Sequence, residues 1–129
     1  MNQNAFGRNI LVVDDDAALR NILVEVLEEE GYRARAACNG MEALEVLRTL
    51  PVPPTLILLD MMMPVMDGWA FRAEQRRDPQ LSEIPVVIFS AQGRVQEMAS
   101  QVSASAYLKK PLPLKELLET IEKFCGRRV

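Results

Sequence analysis

Histidine is absent from the 129-residue chain, and cysteine and aromatic residues are scarce. Without histidine, the protein has no imidazole to act as a general base or as a metal ligand. If a phosphohistidine takes part in its chemistry, that residue must belong to another protein. The two cysteines, Cys38 and Cys125, lie far apart without metal-type spacing. This pattern indicates reduced thiols rather than a disulfide framework.

Long apolar runs are also missing. No segment approaches the roughly 20 apolar residues that a membrane-spanning helix needs, and the polar start over residues 1–8 lacks the apolar stretch of a signal peptide. The formal net charge is only −3, which implies no general affinity for nucleic acid. We therefore expect a cytoplasmic protein that binds neither membranes nor nucleic acid.

Five apolar segments alternate with amphipathic segments, a pattern that predicts βα units around a parallel sheet. The strand candidates are Ile10–Val13, Tyr32–Ala37, Thr55–Leu59, Pro85–Phe89 and Ala106–Leu108. The first, third and fourth are nearly continuous in apolar residues, as is typical of strands buried on both faces. The second alternates arginine with alanine and is placed at an edge. We predict a flavodoxin-like, doubly wound (βα)5 three-layer sandwich with strand order 2-1-3-4-5.

Five helices are predicted between and after these strands. They begin after Asp16, at Asn39, at about Asp67, near Arg94 and after Pro111. The fourth has the weakest apolar stripe, so we expect it to be mobile. Residues 1–129 are expected to form a single domain with its core over about 8–126. The initial methionine and the short tail after the last helix favour a stand-alone protein over an excised domain.

Polar side chains suited to one reaction follow four of the predicted strands: Asp14–Asp16, Asp60, Ser90 and Lys110. Singly, the acids could cap helices, the serine could end a turn and the lysine could be a surface charge. Together they converge, because strands 1, 3, 4 and 5 are contiguous at the carboxyl edge of the sheet. Crowded carboxylates repel one another, and a hard divalent cation relieves this. A carboxylate beside Mg²⁺ can accept a phosphoryl group as an acyl phosphate.

Four motifs, ILVVDDD, LILLDMMMPVMDG, IPVVIFSA and YLKKP, carry a family resemblance over about residues 8–126. In this order they resemble the receiver domains of bacterial two-component response regulators, especially single-domain chemotaxis regulators. The resemblance implies a signalling domain rather than an enzyme, one that catalyses only its own phosphorylation and dephosphorylation. It implies phosphoryl transfer to Asp60 from a histidine kinase, a histidine phosphotransfer protein or a small donor such as acetyl phosphate.

The resemblance also implies a metal site. Asp14 and Asp15 match the family's Mg²⁺ ligands, and they are joined by Asp60 itself and by the backbone carbonyl of Met62. Mn²⁺ is expected to substitute for Mg²⁺.

Further residues match the family's phosphoryl-binding and switching positions. Ser90 and Lys110 match residues that bind the phosphoryl group, and the Lys110–Pro111 peptide is cis in relatives. Tyr107 matches an aromatic residue that turns inward when Ser90 moves. This switch is expected to alter the face formed by the fourth helix, fifth strand and fifth helix, where a downstream protein binds.

Some positions depart from the family pattern. Val65 and Ser103 stand where relatives often have glycine, whereas Gly68 is retained and is expected to adopt a backbone conformation that other residues resist. Met62 and Gln92 border the expected path of hydrolytic water. An apolar Met62 therefore predicts slow spontaneous dephosphorylation.

Three other interpretations share parts of this pattern. A phosphatase of the haloacid-dehalogenase type would use Asp14 as its nucleophile with Asp16 in a D-x-D motif, but Ala18 replaces that family's threonine. A flavin-binding protein would have the same architecture, but the acidic loop would repel a flavin phosphate. A degenerate receiver would act only as a binding module. The oligomeric state stays open between a monomer and a phosphorylation-dependent homodimer.

Overall fold

The structure, a computed structural model, describes residues 8–126, so the polar start lies outside the described residues except for Arg8. The strands are β1 Asn9–Val13, β2 Arg33–Ala37, β3 Leu56–Asp60, β4 Val86–Ser90 and β5 Ala106–Lys109. The helices are α1 Ala17–Glu29, α2 Gly40–Thr49, α3 Gly68–Arg77, α4 Val95–Val102 and α5 Leu114–Cys125. Within residues 8–126, no helix is both long and apolar enough to cross a bilayer.

The five strands form one parallel sheet in the order β2-β1-β3-β4-β5, which confirms the predicted topology. Residues 10–13 of β1 and all residues of β3 and β4 are buried. Strand β2 lies at an edge of the sheet, and its residues Arg33 and Arg35 are exposed. Side chains from α2, α3 and α4 pack on one face of the sheet. Those from α1 and α5 pack on the other. The result is the three-layer flavodoxin-like sandwich that the apolar pattern predicts.

Three strands, β3, β4 and β5, end one residue later than predicted. Asp60 pairs with Phe89, and Ser90 pairs with Lys109, so both polar residues belong to the sheet ladder. A strand boundary placed where the apolar run stops is therefore too early at these positions. The pairing fixes the backbones of Asp60 and Ser90 on neighbouring strands at the carboxyl edge of the sheet.

Three of the five helices, α1, α2 and α3, begin at a residue whose side chain caps the helix. The Oδ1 atoms of Asp16, Asn39 and Asp67 accept hydrogen bonds from the backbone N–H groups of Leu19, Glu42 and Ala70. These bonds satisfy donors that have no partner inside the helix. In contrast, α4 has no side-chain cap at its N-terminal end, which leaves that end, near the carboxyl edge of β4, less firmly held.

The C-terminal end of α4 is held by α3. Arg72 is buried and donates from Nε to the Val102 carbonyl at 2.8 Å, from Nη2 to the Ser103 carbonyl at 3.0 Å and from Nη1 to Gln75 Oε1 at 2.9 Å. Gln75 Nε2 in turn donates to the carbonyls of Leu81 and Ile84. We call Arg72, Gln75, Val102 and Ser103 the arginine cluster. It ties α3 to the last turn of α4.

Two residues that depart from the family pattern, and one retained glycine, differ in backbone conformation. Val65 has φ 70° and Ser103 has φ 53°, so both take positive φ values without being glycine. Gly68 does not have a positive φ, so the expected reason for that glycine is wrong. A Cβ at Gly68 would come within 2.8 Å of the Met61 Cα atom, which shows that close approach of the backbone requires the glycine.

Candidate functional site

Asp14 is the innermost acid of the site. It directly follows β1, is fully buried, and its backbone N–H donates to the Ala37 carbonyl. Its Oδ1 atom accepts a hydrogen bond from the Asp16 N–H at 2.9 Å. Its Oδ2 atom accepts no hydrogen bond and lies 3.2 Å from Lys110 Nζ. A buried carboxylate oxygen with only an ionic contact retains capacity for another cation.

Asp60 ends β3 beside Asp14 and is only 4% exposed. Its Oδ2 atom lies 3.6 Å from Lys110 Nζ, and its Oδ1 atom accepts a long bond of 3.4 Å from the Met62 N–H. Burial and the charge of Asp14 raise the pKa of Asp60 from 3.8 to about 7, although Lys110 acts in the opposite direction. The ionised form of Asp60 is therefore held at an energetic disadvantage that a further positive charge would remove.

Lys110 is positioned by the neighbouring strand. Its backbone N–H donates to the Ser90 carbonyl at 2.9 Å, and Nζ lies 5.1 Å from the ring centroid of Phe89. The Lys110–Pro111 peptide is cis, as the resemblance implied. The ammonium group thus reaches both Asp14 and Asp60.

Three carboxylates converge closely enough to share one cation. One oxygen each from Asp14, Asp15 and Asp60 lies within 4.8 Å of the others. We call these three acids together with Lys110 the acidic cluster. Hard divalent cations prefer oxygen ligands of this kind. The donor set and the Asp14 oxygen that accepts no hydrogen bond both fit such an ion.

The cluster opens onto a cavity of about 250 Å³, whose lining includes Asp15, Asp60, Met62, Ser90, Gln92 and Lys110. Ser90 is buried, and its Oγ atom accepts a bond from the Gln92 N–H at 3.1 Å. Tyr107 is not among the lining residues and is 42% exposed. The structure therefore brings together every predicted site residue except Tyr107.

Arg20 contacts the site although no sequence pattern singled it out. Its Nη1 atom donates to the backbone carbonyl of Asp14 at 2.8 Å. Its position four residues after the helix cap Asp16 is the signal that could have suggested a contact with the preceding loop. Asp16 itself caps α1.

Known proteins match this chain over most of its length. A family model of the response regulator receiver domain matches residues 10–122. The probable transcriptional regulator ycf27 of Pyropia yezoensis is 40% identical over 120 residues, which cover 92% of this chain and 47% of that protein. The chain spans about half the length of the curated relatives it matches.

Solved structures agree with this relationship. The chemotaxis response regulator CheY4 of Vibrio cholerae matches with a TM-score of 0.81 at 27% identity, covering 91% of this chain and 98% of that one. The response regulator TrrA of Thermotoga maritima, solved in complex with Mg(2+)-BeF, matches with a TM-score of 0.79 at 32% identity and the same coverage. The chain thus belongs to the receiver-domain family of two-component response regulators, and its acidic cluster is consistent with that family's phosphorylation site.

Proposed function

We propose that this chain forms one receiver domain with its core over about residues 8–126, and that Asp60 accepts a phosphoryl group in a Mg²⁺-dependent reaction. The observation that carries the proposal is the position of the Asp60 carboxylate. It lines an open cavity, beside the acids Asp14 and Asp15 and the cation Lys110. The proposed phosphoryl donor is a histidine kinase or a histidine phosphotransfer protein, because the proteins that this chain matches are two-component response regulators.

In the proposed reaction, an Asp60 carboxylate oxygen attacks phosphorus and forms a new P–O bond. The P–N bond of the phosphohistidine donor breaks, and its electron pair returns to the imidazole nitrogen. Lys110, 3.6 Å from Asp60 Oδ2, offsets negative charge on the transferring group. Asp14, Asp15, Asp60 and the Met62 carbonyl would hold Mg²⁺, with Mn²⁺ as a substitute. The bound ion supplies further charge neutralisation and favours ionised Asp60.

The same site gives the proposed switch its first step. The Ser90 hydroxyl oxygen accepts the Gln92 N–H in the present structure, and its own proton is free to be donated to a phosphoryl oxygen. Rotation of Ser90 toward Asp60 would displace the loop between β4 and α4. This loop leads into α4, which has no side-chain cap at its N-terminal end. Tyr107, exposed on β5, would then turn inward.

The proposed output surface is the α4–β5–α5 face. It carries two of the large exposed apolar side chains, Tyr107 and Leu114. A downstream protein, or a second phosphorylated copy of this chain, would bind there in the phosphorylated state. Comparing partner binding by beryllofluoride-loaded and free protein tests this part, because equal binding of both forms would contradict a switched surface.

The dehalogenase-type alternative is disfavoured by two contacts. Asp14 Oδ1 already accepts the Asp16 N–H, and the Asp16 side chain caps α1. That alternative would also leave the buried Asp60 without a role. A degenerate receiver is disfavoured because the acids, Ser90 and Lys110 are all in place around the cavity.

The decisive experiment is incubation with acetyl phosphate and Mg²⁺ followed by intact-mass measurement. The unmodified protein is expected to gain one phosphoryl group, and Asp60→Asn none. Asp67→Asn is the matched control, because asparagine keeps the α3 cap and uptake should persist. Phosphoryl uptake by Asp60→Asn would contradict the proposal and favour a nucleophile such as Asp14. No uptake by the unmodified protein would favour a binding module.

A further inference from the structure

Arg20 connects α1 to the loop that carries the proposed metal ligands. Its guanidinium Nη1 atom donates to the Asp14 carbonyl oxygen at 2.8 Å. Its backbone N–H donates to the Asp16 carbonyl at 2.9 Å. The backbone bond is the first i→i−4 bond of α1 and would form with any residue at this position, so the Arg20 side chain holds the loop at one point, the Asp14 carbonyl.

The Asp14 carbonyl belongs to the peptide group that joins Asp14 to Asp15. Because a peptide group is planar, fixing its oxygen also fixes the direction in which the chain enters Asp15. Asp14 is held in addition by its own N–H, which donates to Ala37, and by its carboxylate. Asp15 is exposed, and no hydrogen bond of its side chain is found among residues 8–126. Its orientation thus depends on the peptide that Arg20 holds.

We propose that Arg20 is a positioning residue for the divalent-cation site. By fixing the Asp14–Asp15 peptide, it keeps the Asp15 carboxylate within 4.8 Å of those of Asp14 and Asp60. This inference rests on the proposed function, namely that a divalent cation binds at these acids. The role is geometric, because a nearby guanidinium charge by itself would repel the cation.

A purely structural role makes a different prediction. If Arg20 only fastened the start of α1, its loss would lower the melting temperature but leave cation affinity unchanged. If Arg20 orients Asp15, its loss weakens cation binding even at temperatures where the protein is fully folded. Residues that orient metal ligands without touching the metal commonly affect affinity by about tenfold or more.

The test is calorimetric titration of the unphosphorylated protein with Mg²⁺, repeated with Mn²⁺. Arg20→Met keeps the aliphatic stem and removes the donors, and its Kd is expected to rise about tenfold. Arg20→Lys, which retains a donor of similar reach, should recover part of the affinity. Arg77→Met removes the same charge from an exposed position on α3 and should bind Mg²⁺ as the unmodified protein does. Circular dichroism at the titration temperature verifies folding.

The outcomes separate the two proposals. If the unmodified protein binds neither cation, the proposed function fails. If the unmodified protein binds and Arg20→Met binds equally well, only the role of Arg20 is overturned. If Arg20→Met does not fold, Arg20→Gln is titrated in its place with the same expectation, since its side chain is too short to reach the Asp14 carbonyl.

Discussion

The acidic cluster and the arginine cluster both contain buried charged side chains, Asp14 and Asp60 in the first and Arg72 in the second, but the hydrogen-bonding capacity of these side chains is satisfied to very different degrees. In the arginine cluster, each nitrogen of Arg72 donates to an acceptor, and Gln75 uses both ends of its amide. In the acidic cluster, Asp14 Oδ2 accepts no hydrogen bond, and burial together with Asp14 raises the pKa of Asp60 to about 7.

This difference distinguishes buried polar groups that stabilise the fold from buried polar groups that are available to bind a ligand. Buried polar groups in native proteins are nearly always hydrogen-bonded, so an exception needs a reason. For the acidic cluster the reason is the cation and phosphoryl group that we propose to bind there. Arg8 Nη1 is the other buried side-chain atom without a hydrogen bond in residues 8–126. Its guanidinium lies 5.3 Å from the ring centroid of Tyr32, where a cation–π contact partly compensates.

The largest effect should come from breaking the satisfied cluster. Arg72→Met leaves the carbonyls of Val102 and Ser103 and the Gln75 amide oxygen without their donor. We expect the free energy of unfolding to fall by about 2–4 kcal/mol, measured by urea denaturation. Arg77→Met removes an exposed arginine from the same helix and should change stability by less than about 0.5 kcal/mol. Equal effects of the two substitutions would contradict the structural role of the arginine cluster.

Removing a charge from the acidic cluster should instead raise the free energy of unfolding. The folded-state pKa of Asp60, about 7, lies above the ordinary value of 3.8, so the folded protein binds a proton more tightly than the unfolded chain. The resulting destabilisation is absent below about pH 4, grows as the pH rises, and is complete above about pH 7. Without Mg²⁺, stability should fall by on the order of 2 kcal/mol between about pH 5.5 and pH 8.

Asp60→Asn should remove most of this pH dependence and be more stable than the unmodified protein at pH 8. The window is favourable for the measurement because the chain has no histidine to titrate in it. Urea denaturation in EDTA at both pH values provides the comparison. An unmodified protein whose stability is constant across the window would show that Asp60 is not held at a disadvantage.

The open side of the acidic cluster should control the lifetime of the phosphorylated state. Met62 lines the cavity and is half exposed, but it offers no side-chain group to position water. Met62→Asn adds an amide and should accelerate phosphate loss by about three- to tenfold, the equivalent of one hydrogen bond. Phosphate release after donor removal measures the rate. Met41→Asn, an exposed methionine that does not line this cavity, should leave it unchanged; an unchanged rate in Met62→Asn would overturn the prediction.

The smallest effects should come from two residues with positive φ, Val65 after β3 and Ser103 in the arginine cluster. Val65 follows β3 at φ 70°, where the Met66 N–H bonds back to the Pro64 carbonyl in a γ-turn. Val65→Gly should stabilise the protein by about 1 kcal/mol, because glycine adopts positive φ without strain. Ser103→Gly should add about 0.5 kcal/mol, since its carbonyl remains available to Arg72. Thermal melting measures both, and a loss of stability in Val65→Gly would show that its conformation is unstrained.

The sequence was sufficient for the features that depend on local pattern. Apolar runs located the central strands, and the residues at their ends located Asp14, Asp60, Ser90 and Lys110. It was insufficient where contacts join distant backbone groups. Arg72 bonds carbonyls about thirty residues away, and nothing in a helix containing several arginines indicates which one is buried.

The conformations of single residues were equally hard to foresee. The γ-turn at Val65 puts a β-branched residue in a region that such residues rarely adopt. The reason for Gly68 was predicted wrongly. A Cβ added at this position would collide with Met61, whereas the backbone φ of Gly68 is one that other residues can adopt. Arg20 was missed because its partner is a main-chain oxygen, which no side-chain motif reveals.

The most direct test of the central claim is the change in melting temperature on adding Mg²⁺ with beryllofluoride, a phosphoryl mimic. We predict a rise for the unmodified protein, because the ligands relieve the unsatisfied acidic cluster and bind only the folded state. Arg72→Met should show a similar rise from a lower starting temperature, and Asp60→Asn should show little or none. An equal rise in Asp60→Asn, or no rise in the unmodified protein, would contradict the claim that the acidic cluster is built to receive a phosphoryl group.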